Sequence, residues 1–384
     1  MLTFNSKLPH VGTTIFAQMS QLAQQYQALN LAQGFPDFSA PEPLLAALGK
    51  HALAGHNQYA PLAGLPELRE QVAAKIARLY CQSVSAEQEV TITPGATEAI
   101  FCAIQAFVGA GDEVLVFDPC YDSYEPSVQL AGGYCIHLPL RLPEFQIDWQ
   151  LVAKAITPRT RMIILNSPHN PSGAVISHEE LLQLTELVRD TNIIILSDEV
   201  YEHLVFDGAP HQSVLGYEEL YARSCVVSSF GKTYHVTGWK TGYIVAPAKL
   251  TEEIRKVHQF VNFCGVTPVQ YALADFMRAH PEHVDELPAF YQQKRDHLCQ
   301  LLKPSRFKWV PTQSTYFQLL DYSAIQPTFS DLQMTEWLVK ECGIAAIPLS
   351  VFYQQPPAEQ RLIRICFAKQ THTLDQAGAL LCQI

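Results

Sequence analysis

The sequence predicts an α/β fold with a mostly parallel central sheet of about seven strands, flanked by helices. Two runs, Met162–Leu165 and Ile193–Leu196, are apolar on both faces, which is typical of parallel strands covered by helices on each side. Between residues 90 and 246, short apolar segments alternate with helical ones. With 384 residues, 48% of them hydrophobic, the chain is long enough for one large domain and a smaller one.

The first helix is predicted after Thr14, a capping residue, and a loop punctuated by glycine and proline follows at residues 30–38. The next predicted helices are Pro43–Leu53, Leu65–Tyr80, Thr97–Val108, Asp122–Leu130 and His178–Arg189. The predicted strands of the sheet are Val90–Thr93, Val114–Asp118, Tyr134–Leu138, Arg161–Asn166, Ile193–Asp198, Cys225–Ser229 and Tyr243–Ala246.

After residue 251 the pattern becomes helical and then ends in a smaller α+β part. The predicted helices are Glu252–Phe263, Gln270–Arg278, His283–Leu302 and Leu332–Cys342, and the predicted strands are Tyr316–Leu320, Ile344–Pro348 and Leu362–Phe367. We assign residues 45–285 to the large domain. Residues 1–44 and 286–384 together are assigned to the small domain.

The composition excludes several classes of function. The net charge is −11, without a basic cluster, so neither nucleic acid nor an anionic membrane is an expected partner. No apolar run approaches the length of a membrane span, and the N-terminal residues show no signal-peptide core. The ten cysteines are scattered without a CxxC pair, which indicates neither a metal site nor a disulfide framework and favours a reducing cytoplasm.

Candidate binding residues follow the predicted strands, because ligands of open α/β sheets bind at the carboxyl ends of the strands. Gly95, Ala96 and Thr97 open a helix after the first strand, where free N–H groups can hold a phosphate. The same residues also suit an ordinary helix start. Tyr121 follows the second strand and can stack on a flat ligand or simply pack as an aromatic residue.

Three polar residues follow or occupy later strands. Asn170 lies in a rigid turn with two prolines and offers a directional amide, or serves the turn alone. Asp198 ends an aliphatic run, so it either needs a buried cationic or N–H partner or caps the next turn. Arg364 lies in an apolar strand, where it can bind a carboxylate or face solvent at a sheet edge.

The residues from 228 to 243 contain the strongest candidate for chemistry. Lys232 comes just after a buried strand, where desolvation would lower the pKa of its ammonium and make the amine a nucleophile. Lys240 adds a second cation that suits an anion such as a phosphate. Two solvated surface lysines are the alternative interpretation of the stretch by itself.

Together these residues could hold an aromatic, phosphorylated aldehyde and an amino acid. The stretch from Ser229 to Gly242 resembles the cofactor-lysine signature of class I/II aminotransferases, which are pyridoxal-phosphate enzymes of fold type I. The supporting motifs stand in family order across nearly the whole chain: Gln33–Phe38, Asn57–Tyr59, Gly95–Glu98, Tyr121–Pro126, Asn166–Gly173, Ser197–Tyr201 and Arg364. The motifs at residues 34–38 and 231–240 resemble the kynurenine/glutamine transaminase branch, and within it the bacterial enzymes that act on methionine.

The resemblance implies a role for each catalytic residue. Lys232 would bind pyridoxal 5'-phosphate covalently and later move a proton between the substrate and the cofactor. Asp198 would pair with the pyridine N–H and keep it protonated. Tyr201 and Asn170 would hold the 3'-oxygen of the ring from its two sides.

The resemblance also implies the binding residues. Tyr121 would stack on the ring, and Arg364 would bind the substrate carboxylate with Gly34 and Asn170. Phe16, with Phe35 and Tyr59, would line an apolar pocket for the substrate side chain. The phosphate would be held by Gly95, Ala96, Thr97, Ser229, Lys240 and, from the neighbouring subunit of a homodimer, Tyr59.

Two residues depart from the family pattern. Lys240 stands where the signature usually has arginine, which keeps the charge but loses the bidentate fork. The branch often has lysine there, so we interpret it as a subfamily trait. His235 fills a position that usually holds a small residue, and we expect it to pack behind the site, with a role near the phosphate as the alternative.

The implied function is transfer of the amino group of an L-amino acid, of methionine, glutamine or aromatic type, to a 2-oxo acid by a ping-pong mechanism. A cysteine-conjugate C–S β-lyase is the alternative enzyme, because the same fold supports both reactions. A non-catalytic amino-acid-sensing regulator is the alternative of another class. Known regulators of that kind carry an N-terminal DNA-binding domain, for which the motifs starting at Gln33 leave no room.

Overall fold

A computed structural model describes residues 5–384. The N-terminal part contains helix α1 and the short strand β1, followed by two longer helices. Thr14 caps α1, because its hydroxyl accepts a hydrogen bond from the backbone N–H of Ala17. The elements are α1 (Ile15–Gln25), β1 (Leu29–Asn30), α2 (Glu42–Leu53) and α3 (Pro66–Tyr80).

A seven-stranded sheet forms the centre of the large α/β part, as predicted. Its elements are β2 (Val90–Thr93), α4 (Gly95–Phe107), β3 (Glu113–Asp118), α5 (Tyr124–Ala131), β4 (Tyr134–Pro139), α6 (Trp149–Ala155), β5 (Thr160–Asn166), α7 (His178–Val188), β6 (Ile194–Asp198), α8 (Glu218–Tyr221), β7 (Ser224–Ser229), α9 (Phe230–Thr233) and β8 (Gly242–Val245). The strand order is β2-β8-β7-β6-β5-β3-β4. Strand β8 is antiparallel to both of its neighbours, and the other four pairings are parallel.

The apolar strands bury both faces of the sheet. Along β5, Met162 and Ile164 contribute to one hydrophobic core, whereas Ile163 and Leu165 contribute to another. This alternation explains why the run reads as continuously apolar in the sequence. The predicted fold class is therefore confirmed.

The C-terminal part contains helices and a small antiparallel sheet. Its elements are α10 (Ala248–Val261), α11 (Thr267–Ala279), α12 (His283–Leu302), β9 (Phe317–Asp321), α13 (Asp331–Cys342), β10 (Ile344–Ala345), β11 (Ile347–Pro348), β12 (Leu362–Cys366) and α14 (Thr371–Leu381). The small sheet has the order β11-β12-β9. Between residues 5 and 384, no helix is both long enough and apolar enough to cross a membrane.

The structure corrects one predicted strand. The segment predicted as a single strand at residues 344–348 is two strands, because β10 pairs in parallel with β1 while β11 pairs with β12. The β1–β10 pairing also joins the N-terminal segment to the C-terminal part of the chain. The division into residues 45–285 and the remainder stays a prediction.

Candidate active site

A cavity of about 310 Å3 lies at the carboxyl ends of the parallel strands, between the large sheet and the small C-terminal sheet. Its walls contain side chains from segments that are far apart in sequence, from Phe16 to Arg364, as strand-end sites of this fold require. All but one of the predicted site residues line it: Phe16, Gly34, Gly95, Ala96, Thr97, Tyr121, Asn170, Asp198, Tyr201, Ser229, Lys232, Lys240 and Arg364.

Lys232 lies in the short helix α9, directly after strand β7. Its ammonium donates hydrogen bonds to the hydroxyl oxygen of Tyr316 at 2.8 Å and to the carbonyl oxygen of Gly34 at 3.2 Å. Burial lowers the pKa of Lys232 to about 8, because desolvation disfavours the charged form. The free amine is therefore much more populated near neutral pH than in an exposed lysine, although the ammonium form still predominates.

Asp198 ends strand β6 and is almost fully buried. Its Oδ2 atom accepts a hydrogen bond from the hydroxyl of Tyr124 at 2.6 Å. Burial raises the pKa of Asp198 to about 6, and the bond from Tyr124 acts in the opposite direction. Asp198 is thus a buried carboxylate whose charge a cationic or N–H partner in the cavity would stabilise.

The N-terminus of α4 and the ammonium of Lys240 together form an anion site. Gly95 has a left-handed φ of +78°, and a Cβ atom there would lie 3.4 Å from Lys240 Nζ. The cation therefore stands beside the free N–H groups at the start of a thirteen-residue helix. Ser229 adds a hydroxyl group to the same cavity. These donors fit a phosphate.

Arg364 lies in strand β12 and is only 1% exposed, so the solvent-facing alternative is wrong. Its Nη1 donates to Asn170 Oδ1 at 2.6 Å, and its Nη2 donates to the carbonyl of Ala32 at 3.3 Å. Its Nε is buried and has no hydrogen-bond partner among residues 5–384. Burial lowers its pKa to about 10, which leaves the guanidinium charged at neutral pH. An unpaired guanidinium N–H beside a cavity fits a carboxylate ligand.

Aromatic rings hold the Arg364 guanidinium in place. The carbon at its centre, Cζ, lies 3.9 Å from the ring centroid of Phe317, 5.3 Å from that of Phe16 and 5.5 Å from that of Phe352. Gly34 has to be glycine here, because a Cβ atom would lie 2.6 Å from the ring of Phe317. Cation–π contacts of this kind fix the plane of the guanidinium fork.

The remaining predicted site residue, Tyr59, lies outside the lining of the cavity, and so does His235, which was expected to pack behind the site. Tyr59 is 85% exposed and packs edge-on against Phe263, with ring centroids 5.6 Å apart. His235 packs among aromatic residues, with its centroid 4.9 Å from that of Phe38, and its buried Nε2 has no partner among the described residues. Burial lowers the pKa of His235 to about 3, so the ring is neutral and acts in packing.

Comparison with known proteins identifies the family. The family described as "Aminotransferase class I and II" matches residues 26–379. The chain belongs to the class I and II aminotransferases. This confirms the resemblance inferred from the motifs around Lys232.

Several relatives are similar over their whole length. The methionine aminotransferase of Escherichia coli is 51% identical, with 99% of this chain and 98% of the relative covered. The kynurenine–oxoglutarate transaminase 1 of Mus musculus is 34% identical, with 98% and 96% covered. The crystal structure of YbdL from Escherichia coli, described as having a methionine aminotransferase function, matches with a TM-score of 0.97 at 51% identity over 100% of both chains.

A more distant structure shares the same fold. The aspartate aminotransferase of Thermus thermophilus, solved with maleate, matches with a TM-score of 0.90 at 29% identity over 100% of both chains. This aminotransferase therefore has the fold-type-I architecture predicted from the sequence.

The enzyme is a pyridoxal 5'-phosphate-dependent amino acid transaminase. The donor set fits this cofactor, because the cavity combines an amine of lowered pKa, a buried carboxylate and an anion site at a helix N-terminus. The bound cofactor supplies an electron-withdrawing ring that stabilises negative charge on the substrate Cα.

Sequence reasoning missed two hydroxyl groups of the site. Tyr124 lies within a motif at residues 121–126 that the sequence analysis singled out, but its contact to Asp198 joins residues 74 positions apart. Tyr316 contacts Lys232 from 84 positions away, on the segment leading into β9. Tyr124 could have been suspected from its place after a strand, whereas nothing in the pattern around Tyr316 indicates its contact.

Proposed function

We propose that Lys232 is the residue that binds the cofactor covalently and then moves a proton at its Nζ atom. The position of its amine, in the same cavity as the Asp198 carboxylate, is the observation that carries this proposal. A pKa of about 8 supports both roles, because the amine must be a nucleophile in one step and a proton carrier in another. Asp198 would pair with the pyridine N–H and keep that nitrogen protonated.

The remaining residues would bind and orient. Tyr121 would stack on the ring, while Tyr201 and Asn170 would hold its 3'-oxygen. Arg364 would bind the substrate carboxylate, with Asn170 and Gly34 beside it. The phosphate would be held by Gly95, Ala96, Thr97, Ser229 and Lys240.

We further propose that the preferred donors are amino acids with an uncharged side chain of methionine, glutamine or aromatic type. Three cationic side chains line the cavity, and each already has a proposed partner: Lys232, Lys240 and Arg364. Among the described residues of this chain, no lining cation remains for a second carboxylate. The other walls contain apolar groups such as Phe16, Phe35 and Ile100, which suit a thioether or an aromatic ring.

A panel of amino donors against one 2-oxo acid tests this preference. We expect kcat/KM for methionine and phenylalanine to exceed that for aspartate and glutamate by at least about 10-fold, since an unpaired carboxylate in an apolar pocket is costly. Alanine serves as the control donor, because its side chain is only a methyl group. Phe16→Ala should lower kcat/KM for methionine more than for alanine. Equal rates for aspartate and methionine would refute the preference.

A cysteine conjugate in the same panel separates transamination from the alternative β-elimination. Release of pyruvate and a thiol at the rate of methionine turnover would favour the lyase. Transfer of the amino group to the 2-oxo acid, with little thiol released, is the result we expect.

We also propose that the enzyme works as a homodimer in which Tyr59 reaches the phosphate of the neighbouring subunit. Exposed apolar side chains near Tyr59 support this proposal, since Phe263, which packs on the Tyr59 ring, is 42% exposed and Val266, which lines the same cleft, is 56% exposed. Tyr59 and Lys240 line the same surface cleft, so an interface formed at this cleft would bring Tyr59 of one subunit close to the proposed phosphate site of the other.

We also expect the enzyme to work in a reducing cytoplasm, and its ten free cysteines support this expectation.

A further inference from the structure

We propose that Tyr316 is a positioning residue that fixes the direction in which the Lys232 amine transfers its proton. This inference rests on the proposed role of Lys232. Tyr316 precedes strand β9 and is fully buried. Its hydroxyl lies between two groups of the site, since it accepts from Lys232 Nζ at 2.8 Å and donates to the carbonyl oxygen of Gly34 at 2.6 Å.

The direction of each hydrogen bond follows from the chemistry of the groups. Burial raises the pKa of Tyr316 well above its usual value, so the hydroxyl remains protonated. Its single proton is donated to the carbonyl of Gly34, which can only accept. The oxygen of Tyr316 is then left to accept a hydrogen bond from Lys232.

The two acceptors hold the amine on one side. A neutral amine has two N–H bonds and one lone pair, in tetrahedral arrangement. The Tyr316 oxygen lies 2.8 Å and Gly34 O lies 3.2 Å from Nζ, and these two acceptors are only 2.6 Å apart, so they stand on the same side of the amine. An N–H directed at this pair turns the lone pair, or the third proton once the amine is protonated, away from Tyr316 and Gly34. Loss of the Tyr316 hydroxyl would leave only the longer contact to Gly34 to limit rotation of the amine.

The surroundings of Tyr316 keep its hydroxyl in place. Its ring packs against three other aromatic rings, with centroid distances of 5.1 Å to Tyr201, 4.9 Å to Phe317 and 5.8 Å to Tyr291. Its carbonyl oxygen accepts from the N–H of Phe367 at 2.9 Å. Phenylalanine would keep all of these ring contacts, so Tyr316→Phe removes the hydroxyl alone.

The chain offers a matched control in Tyr291. Its hydroxyl is buried and has no hydrogen-bond partner among residues 5–384, and its ring belongs to the same aromatic cluster. Tyr291→Phe therefore removes a buried hydroxyl from a ring that packs on Tyr316, without removing a hydrogen bond to the amine. A general effect of losing a tyrosine hydroxyl in this cluster would be the same in both variants.

The first test is the single-turnover reaction of the holoenzyme with methionine. We expect Tyr316→Phe to lower the rate constant of this half-reaction about 10- to 100-fold, because a misdirected catalytic group costs rate rather than binding. The concentration of methionine at half-saturation should change less than about 2-fold. Tyr291→Phe should react at the wild-type rate.

The second test follows Lys232 itself in the holoenzyme loaded with pyridoxamine phosphate, in which the lysine amine is free. Competitive labelling with a small amine reagent, read by mass spectrometry of the Lys232 peptide, gives the pKa of the amine. We expect a lower pKa in Tyr316→Phe, because the ammonium loses an acceptor, and no change in Tyr291→Phe. The other titratable or charged groups that face Lys232 stay the same in both variants: Asp198, Tyr201, Lys240, Arg364 and Cys366.

Two results would overturn the inference. One is a Tyr316→Phe variant that reacts at the wild-type single-turnover rate. The other is a Tyr316→Phe variant that reacts more slowly while the pKa of the Lys232 amine is unchanged, if Tyr291→Phe gives the same two results. Lys232→Ala distinguishes these from a failure of the proposed function. If Lys232→Ala is inactive while Tyr316→Phe is fully active, only the role of Tyr316 is wrong. If Lys232→Ala retains turnover, the proposed role of Lys232 is wrong as well.

Discussion

The hydroxyl of Tyr124 donates a hydrogen bond of 2.6 Å to Asp198 Oδ2, and both side chains are almost fully buried. Burial raises the pKa of the carboxyl to about 6, and the hydroxyl limits this rise because it stabilises the charged form. The bond also fixes one carboxylate oxygen. Among residues 5–384, the other oxygen, Oδ1, accepts only a long bond of 3.4 Å from the N–H of Val200.

The contact predicts that Tyr124→Phe weakens cofactor binding. Loss of a hydrogen bond to a charged group costs about 1.5 kcal/mol or more, so the dissociation constant of pyridoxal phosphate at neutral pH should rise about 10-fold. Fluorescence titration of the cofactor-free protein measures this constant. An unchanged constant would show that Tyr124 only packs. Tyr221→Phe is the matched control, because the Tyr221 hydroxyl is buried without a partner in the described structure.

A pH dependence follows from the same carboxyl. Above a pH of about 6, Asp198 is charged and can pair with a pyridine N–H, and below it the carboxyl takes up a proton and loses this ability. Cofactor affinity should therefore fall as the pH decreases through about 6, and Tyr124→Phe should move the midpoint upward. Asp198→Asn should lose this component of the pH dependence. An identical pH profile in Asp198→Asn would assign the titration to another group.

The proposed role of Arg364 predicts that a substitution there weakens substrate binding without weakening cofactor binding. Arg364→Lys keeps the charge but loses the planar fork, so KM for amino acids should rise about 10- to 100-fold. The dissociation constant of the cofactor should change less than about 2-fold, and it serves as the control for folding of the site. If KM stays at the wild-type value, another group binds the substrate carboxylate.

The proposed role of Tyr59 across the dimer interface predicts that two impaired variants restore turnover when they are combined in one dimer. In a mixed dimer of Tyr59→Ala and Lys232→Ala, action across the interface leaves one site with both residues intact and the other with neither. Mixed dimers isolated with two affinity tags should then have about half of the wild-type turnover. If Tyr59 acts within its own subunit, both sites of the mixed dimer remain impaired.

The strand ends could be predicted from the sequence, whereas the contacts between them could not. Gly95, Asp198 and Lys232 each follow an apolar strand, and parallel strands bring such residues to one edge. The sequence does not decide whether Arg364 is buried, because an arginine between aliphatic residues suits an edge strand as well. Its contacts with Phe16, Phe317 and Phe352 come from segments that only the folded chain brings together.

Four helices were not predicted for lack of a strong local signal, and two of them, α8 and α9, have only four residues each. Helix α6 has only seven residues, and its cap Asp148 follows a proline-containing turn. Helix α14 starts at Thr371 without a side-chain cap. The single strand predicted at residues 344–348 failed for a different reason. Its two halves, β10 and β11, pair with different strands, and pairing partners depend on tertiary structure.

The central claim is that Lys232 and Lys240 have separate roles, one covalent and one electrostatic. The most direct test is the visible spectrum and turnover of Lys232→Ala beside those of the matched variant Lys240→Ala. We predict that Lys232→Ala loses both turnover and the visible absorbance of the covalently attached cofactor, while Lys240→Ala keeps that absorbance and binds the cofactor more weakly. Turnover or the same absorbance in purified Lys232→Ala would contradict the account.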